Sequence, residues 1–344
     1  KFGGGVGGNF GHLREFGSEI GGGTGGKASG PVSFMETWNT MGAVVVQGGK
    51  RRAALMGMLF DDHPDIYRFV DCKTEDGKLS YFNVSVAVSD KLMKEASRDG
   101  TFDLRSRVDG SVVRTVSARE LMDHISESAW KRGDPGVFFI DRARQDNLLK
   151  MDPDWDIEST NPCGEQPLPN YTSCNLGSIN VEVFAKDGEF DWGGFRDQVF
   201  RSMYFLDLVI AACSYPLPRI GERTRKIRPV GLGIMGLADA SILQGIVYGS
   251  PEFERYCKDL GCALAASALS ATAQIVSEAG KEPFPGHPLV RDLFAAFKSE
   301  VEGGEGLFSE GTLFSDSWFT RLSREECGQL LSHMKSSELV PLTL

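Results

Sequence analysis

Glu158-Ser159-Thr160-Asn161-Pro162-Cys163-Gly164-Glu165-Gln166-Pro167-Leu168-Pro169 is the stretch around which the rest of the chain is read, and a second thiol follows it in Ser173-Cys174-Asn175-Leu176-Gly177-Ser178. One short segment thus offers an amide, two thiols and a carboxylate, with Pro162 and Gly164 favouring a tight turn between them. In an extended backbone, residues two apart point to the same side, so Asn161, Cys163 and Glu165 are expected to converge on one bound molecule. That set suits radical or nucleophilic chemistry on a polyol, with Glu165 as the base.

Composition bounds the function classes. The 344 residues are enough for a large core and allow two domains or one big α/β unit. A formal charge of −10 shows no basic footprint for nucleic acid, although backbone amides and a few Arg or Lys can still hold phosphates. No apolar run approaches membrane-spanning length, and Lys1-Phe2-Gly3-Gly4-Gly5 opens no signal-peptide core, so a cytoplasmic chain is expected. The seven cysteines (72, 163, 174, 213, 257, 262 and 327) are odd in number and scattered. They read as a reducing compartment with one functional pair, Cys163 and Cys174, the others being structural. Zinc would want Cys-x2-Cys pairs or nearby His, and the five His residues are scattered, so no metal site is expected.

Patterning gives the elements. Residues 1–30 are glycine-dominated, without helical or strand period, and read as loop. A helix is predicted over 32–46, ended by Gly48-Gly49, and a buried strand over 79–88. Ser117-Ala118-Arg119-Glu120 is a capping box before a helix to about Lys131, and Gly133-Asp134-Pro135-Gly136 turns the chain into a strand over 137–140. Long helices are predicted over 192–213 and 252–278, with a short capped helix after Ser323. Strands alternating with helices argue for α/β, and with no repeat and no evident linker a single domain over 1–344 is expected.

Three glycine clusters fit GxGxxG: Gly3/Gly5/Gly8, Gly21/Gly23/Gly26 and Gly231/Gly233/Gly236. The pattern needs a strand before it and a helix after it, and in a chain with 41 glycines it is weak. The second cluster ends in Lys27-Ala28, lacking the hydroxyl that a P-loop places after its lysine. Gln47-Gly48-Gly49-Lys50-Arg51-Arg52 is a basic loop, either a solvated turn or a mobile segment whose Arg side chains pair with a base edge or phosphate.

The block at 158–169 resembles the active-site segment of ribonucleotide reductases, most closely the adenosylcobalamin-dependent branch. Ala28-Ser29-Gly30-Pro31-Val32-Ser33-Phe34-Met35, Gln47 to Ala53, Gly133 to Gly136 and Arg228-Pro229-Val230-Gly231-Leu232-Gly233 to Asp239 resemble further family segments, in family order. The resemblance covers roughly residues 1–290. It explains the third glycine cluster without a dinucleotide fold. It implies part of a ten-stranded α/β barrel with the cysteine loop threaded into its centre. By resemblance the substrate and effector segments include Gly21, Gly22, Gly23, Lys27, Ser29, Gly30, Gln47, Lys50, Arg51, Arg52 and Gly164.

The same resemblance implies the chemistry. Cys163 would abstract a hydrogen atom from C3′ of a ribonucleotide as a transient thiyl, Glu165 would take the 3′-OH proton, and Asn161 would orient the hydroxyls. Cys174 would supply one reducing electron and form a disulfide with a second cysteine, which in the family lies upstream of the glycine-rich loop. Adenosylcobalamin would make the thiyl by cobalt–carbon homolysis. dNTP or ATP effectors, a thioredoxin-like reductant and a homodimer are implied with it. The family runs beyond both ends of the 344 residues, so the chain reads as a fragment that would not turn over alone. Alternatives stay open: a large subunit that takes its radical from a separate subunit, a thiol–disulfide oxidoreductase, and a non-catalytic nucleotide-binding module.

Overall fold

Leu55-Met56-Gly57-Met58-Leu59-Phe60 has no polar position to offer water, which is the signature of a strand covered on both faces. In the computed structural model, which describes residues 4–45, 52–147, 149–150 and 152–278, the first five of these residues are buried. The described residues form two compact units. The first runs to Asn147 and resumes over Pro153–Asn170; the second runs from Tyr171 onward with a short stretch around residue 150.

The first unit opens with β1 (Val6–Asn9), α1 (Pro31–Val44), β2 (Leu55–Phe60), α2 (Ile66–Val70) and β3 (Phe82–Val88). It continues through α3 (Asp90–Ser97), the antiparallel pair β4 (Thr101–Arg105) and β5 (Val112–Ser117), α4 (Ala118–Arg132), β6 (Gly136–Phe139) and α5 (Ile140–Gln145). It closes on the hairpin of β7 (Ile157–Thr160) and β8 (Pro167–Pro169). The main sheet has the order β1-β2-β3-β6, parallel throughout, with Val6 beside Leu55, Leu55 beside Phe82 and Ser85 beside Gly136. Parallel neighbours need crossovers, which the helices provide. Met35 of α1, Leu59, Phe69, Phe82 and Leu121 fill the core on one side of this sheet; Met58, Ala87 and Ile140 pack together in a smaller cluster.

Local chemistry sets the element ends. Pro31 occupies the first turn of α1, where its missing N–H costs nothing. Ser117 Oγ accepts from the Glu120 amide at 3.3 Å, as the capping box predicts, and Gly133 ends α4 in the left-handed region at φ 77°.

The second unit contains β9 (Asn175–Asn180), the two-residue pair β10 (Ala185–Lys186) and β11 (Glu189–Phe190), and α6 (Trp192–Ala212). α7 (Pro218–Ile227), β12 (Val230–Met235), α8 (Leu237–Leu243) and α9 (Pro251–Glu278) follow. β9 and β12 pair in parallel, with Val230 beside Asn175. Ile179, Val181, Phe195, Val199, Tyr256 and Leu260 form its core. Arg228 sits in the left-handed region at φ 44°, its Nε donating to Asp207 Oδ1 at 2.5 Å and its Nη2 to Asp207 O at 2.8 Å. That grip fixes the approach to β12. Gly231 and Gly233 lie inside β12 rather than in a phosphate-cradling turn, so this cluster is no dinucleotide loop.

The α/β class is as expected, with parallel sheets of the kind that make up part of an α/β barrel. The helices predicted over 32–46, 192–213 and 252–278 match α1, α6 and α9. The strands predicted over 79–88 and 137–140 match β3 and β6. Residues 1–30 are not all loop: Val6-Gly7-Gly8-Asn9 is β1. Its selection is tertiary, because a Cβ at Gly7 would overlap the Thr160 carbonyl oxygen of β7. The strand at β2 has no counterpart in the sequence reading. The helix predicted after Ser323 lies outside the described residues.

Two glycine substitutions separate rigid from yielding neighbours. Gly7→Ala meets a main-chain carbonyl and is expected to cost about 3 kcal/mol. Gly57→Ala meets the Cε end of Met35, which can swing aside, and is expected to cost about 1 kcal/mol. Urea unfolding of both variants checks the order; equal losses would contradict it.

Candidate functional site

Cys163 sits at the tip of the β7–β8 hairpin. Thr160 faces Pro167 across the ladder, and residues 161–166 make the turn between them. Asn161 closes this turn with three of its groups. Its carbonyl accepts from the Gly164 amide at 3.1 Å, its amide donates to Gln166 O at 3.3 Å, and its Oδ1 accepts from the Gln166 amide at 2.9 Å. Gly164 adopts φ 86°, a conformation that favours glycine.

The expected extended run from Asn161 to Glu165 is therefore replaced by a turn. The left-handed Gly164 reverses the chain, so alternation along a strand does not bring the three side chains together. They share one turn instead. Cys163 and Glu165 are exposed, Asn161 is half-buried, and Pro162 is buried. Glu165 and Asn161 Nδ2 have no hydrogen-bond partner among the described residues, so both remain available to a ligand.

The hairpin is seated against β1 and β3. A Cβ at Gly5 would stand 2.5 Å from the Pro162 ring, so only glycine lets that ring pack there. Asn83 of β3 donates from Nδ2 to the Pro162 carbonyl at 2.6 Å. Asn9 donates from Nδ2 to the Glu158 carbonyl at 2.7 Å. The sequence reading missed Gly5, Gly7, Asn9 and Asn83. The available signal was the two-residue spacing of Gly5 and Gly7, which puts both on one face of a strand.

Cys174 belongs to the second unit, where it immediately precedes β9. It is half-buried, and its Sγ lies 3.5 Å from the Asn175 carbonyl oxygen, to which it donates. Its neighbours are anchored: the Ser173 amide donates to Thr224 Oγ1 at 3.0 Å, and Asn175 Nδ2 donates to Leu206 O at 2.9 Å.

The remaining cysteines differ among themselves. Cys72 is buried, and that burial pushes its thiol up to about 12, which fits a structural role. Cys262 is buried as well, and Cys257 is half-buried with its thiol raised by burial. Cys213 is exposed just after α6, so packing does not account for it. Cys327 lies outside the described residues.

The loop holding Gly21, Gly22, Gly23, Lys27, Ser29 and Gly30 folds back on itself. The Ile20 amide donates to Gly26 O at 2.9 Å, and the Ala28 amide to Ser18 O at 2.8 Å. Lys27 and Ser29 are exposed, while Gly30 is buried beside Phe16 and Asp65, directly before Pro31. No side chain caps α1, so its first amides stay open to an anion. Gln47, Lys50 and Arg51 lie outside the described residues; Arg52 is exposed shortly before β2. Among the described residues, no group of three or more His, Cys, Asp or Glu is placed to hold a metal ion.

The family model described as "Ribonucleotide reductase, barrel domain" matches residues 1–319. The vitamin B12-dependent ribonucleoside-diphosphate reductase of Mycobacterium tuberculosis is 41% identical over 284 residues, covering 82% of this chain and 41% of the relative. The enzyme of the same name from Thermoplasma acidophilum is 45% identical over 254 residues, covering 73% of this chain and 33% of the relative. The vitamin B12-dependent ribonucleotide reductase of Rhodopirellula baltica is 31% identical over 307 residues, covering 81% and 29%. The chain thus spans at most about two fifths of the length of these curated relatives.

Exposure gives a direct test of the two extremes among the thiols. Iodoacetamide at about pH 8 is expected to modify Cys163 and spare Cys72 in the folded protein. Peptide mass spectrometry reads the outcome, and labelling of both at one rate would contradict it.

Proposed function

The chain belongs to the ribonucleotide reductase family, and from that premise we propose that it carries the thiyl-bearing part of an adenosylcobalamin-dependent reductase. The observation that carries this reading is the exposed Cys163 thiol, held at the tip of a braced turn between Asn161 and Glu165. A thiol so presented is open to a radical generator approaching from outside the turn. Adenosylcobalamin, when bound, supplies that radical; relatives named for vitamin B12 dependence support the choice. The described residues do not single out the side chains that would hold it.

The roles assigned to this chain's residues are those that the family resemblance implies. Cys163, as a thiyl, accepts a hydrogen atom from C3′ of the ribose and returns it at the end. Glu165 takes the 3′-OH proton, an assignment that its exposed, unpaired carboxylate supports. Asn161 offers its two Nδ2 donors to the sugar hydroxyls while its other polar groups hold the turn. The 2′-hydroxyl leaves as water. Two electrons replace it from a thiol pair that includes Cys174, which becomes a disulfide and is renewed by a thioredoxin-like reductant. Two of the relatives are named as diphosphate reductases, which favours a ribonucleoside diphosphate as substrate.

The finer parts of the reading rest on loops and faces. We assign the glycine loop over 21–30 and the open N-terminal amides of α1 to the phosphates of a dNTP or ATP effector. Phe34, Trp38 and Met41 form an exposed apolar stripe on α1, continued by Val45, and we assign it to a second copy of the chain. A cytoplasmic location goes with the reductant; among the described residues no helix is long and apolar enough to cross a membrane.

Three measurements test this. Deoxynucleotide formation by the full-length protein is expected to require adenosylcobalamin and no second protein. Activity that instead needs a partner subunit would replace the radical source. Cys163→Ser is expected to lower turnover to background with nucleotide binding retained, since an alcohol cannot serve as the thiyl. Trp38→Glu is expected to shift the protein from dimer to monomer in sedimentation at micromolar concentration.

A further inference from the structure

Glu158 lies on β7, two residues before Thr160, at the root of the Cys163 hairpin. Its carboxylate is held from two sides. His12 Nε2 stands 2.6 Å from Oε2, and Arg144 Nη2 stands 3.5 Å from Oε1. Arg144 is engaged more closely elsewhere, at 2.7 Å from Asp156 and through Nε to the Ile157 carbonyl at 3.2 Å. His12 is therefore the closer partner of Glu158. It lies three residues past the end of β1, so Asn9 and His12 together grip Glu158 by its carbonyl and its carboxylate. The imidazole is steadied edge-on by Phe60, with ring centroids 5.3 Å apart.

We propose that His12 is a positioning residue, whose bond to Glu158 fixes the root of the strand from which the Cys163 hairpin projects. The proposal rests on the reading of that hairpin as the reacting segment. Its pH dependence follows from the groups around the ring. The hydrogen bond to Glu158 raises His12 above the ordinary histidine value of 6.5, against burial and the charges of Arg107 and Arg144. His12 opens onto a cavity of about 460 Å³ whose other charged groups are largely engaged. Arg107 pairs with Asp62 and Arg105 with Asp103. Asp61 accepts from the Ser89 amide and hydroxyl, Asp141 accepts from the Asp90 amide, and Lys91 lies over Phe102.

The sign is fixed by the direction of that shift. A group whose folded pKa is raised gives its full contribution below the unfolded value and loses it as pH climbs through the folded one. The His12–Glu158 contact is thus an ion pair while the imidazole is protonated, and in base it keeps the hydrogen bond to the carboxylate but loses the attraction between opposite charges. His12 is 65% exposed at its side chain and Glu158 16%, so solvent keeps the effect modest.

Hydrogen exchange of residues 158–166 in the full-length protein, corrected for intrinsic rates, measures the hold directly. Protection is expected to fall about threefold between about pH 6 and about pH 9 in the natural protein. It is expected to be flat in both His12→Ala and Glu158→Gln, and circular dichroism checks that each variant is folded. A step that persists in the variants, or is missing from the natural protein, overturns the proposal. Turnover is read alongside: kcat should fall over the same window in the natural protein with KM unmoved, and His12→Ala should lack that limb. An exchange step in a protein that makes no deoxynucleotide would leave the His12 assignment standing and overturn the reductase reading instead.

Discussion

Everything that presents Cys163 depends on how closely two backbones approach. β1 and β7 can lie against each other only because Gly7 leaves room for the Thr160 carbonyl and Gly5 leaves room for the Pro162 ring. A methyl group at either position would push the root of the hairpin away by more than a core tolerates. β1 is in turn held by four parallel pairings to β2, from Val6 with Leu55 to Asn9 with Met58. The turn thus inherits its position from the buried sheet. Direct polar contacts from Asn83 and Asn9 then fix it at Pro162 and Glu158.

A second layer of buried polar groups holds the loops at the other end of β1. Glu15 is desolvated, yet hydrogen bonds from the Arg107 amide and the Ser106 hydroxyl outweigh that and keep its carboxyl below the usual range. His63 is fully buried, with Nε2 2.9 Å from the Leu13 carbonyl and Nδ1 accepting from the Asp65 amide at 3.0 Å. That pair of contacts selects the neutral imidazole with its proton on Nε2, and burial lowers its pKa accordingly. Asp65 goes on to accept from the Phe16 amide at 2.8 Å, beside Gly30. The turn after β2 therefore braces the glycine loop before α1. Buried groups of this kind stabilise little when complete but cost much when one partner is removed.

What the sequence made legible was whatever local chemistry decides. The cap at Ser117, the period of α6 and the β-branched run of β3 all act over a few residues, and all three elements lie close to where patterning places them. β1 was not legible, because two of its four residues are glycine and a strand without side chains has no alternation to read. The Cys163 turn was half legible. Its chemistry was visible in the residue types, but its shape was not, since Gly164 adopts a left-handed angle that residue spacing does not announce. The contacts from Asn83, Asn9 and His12 join residues 79, 149 and 146 positions apart. Only a fold can bring such partners together, so no local pattern could have named them.

The comparison of Cys72 with Cys163 shows why the hairpin is a better place for reactive sulfur than a core. Burial at Cys72 suppresses ionisation and access together. At Cys163 the thiol is exposed, yet it is not on a loose loop. Asn161 spends its amide, carbonyl and Oδ1 within the turn, and Thr160 Oγ1 adds a further bond to the same carbonyl at 2.9 Å. The bracing is therefore internal and does not wait for a ligand to arrive. A reacting sulfur needs its geometry set before the substrate binds, because ordering a floppy segment at that moment would oppose binding. The turn separates the two requirements: main chain and glycine contacts supply rigidity, and the tip supplies access.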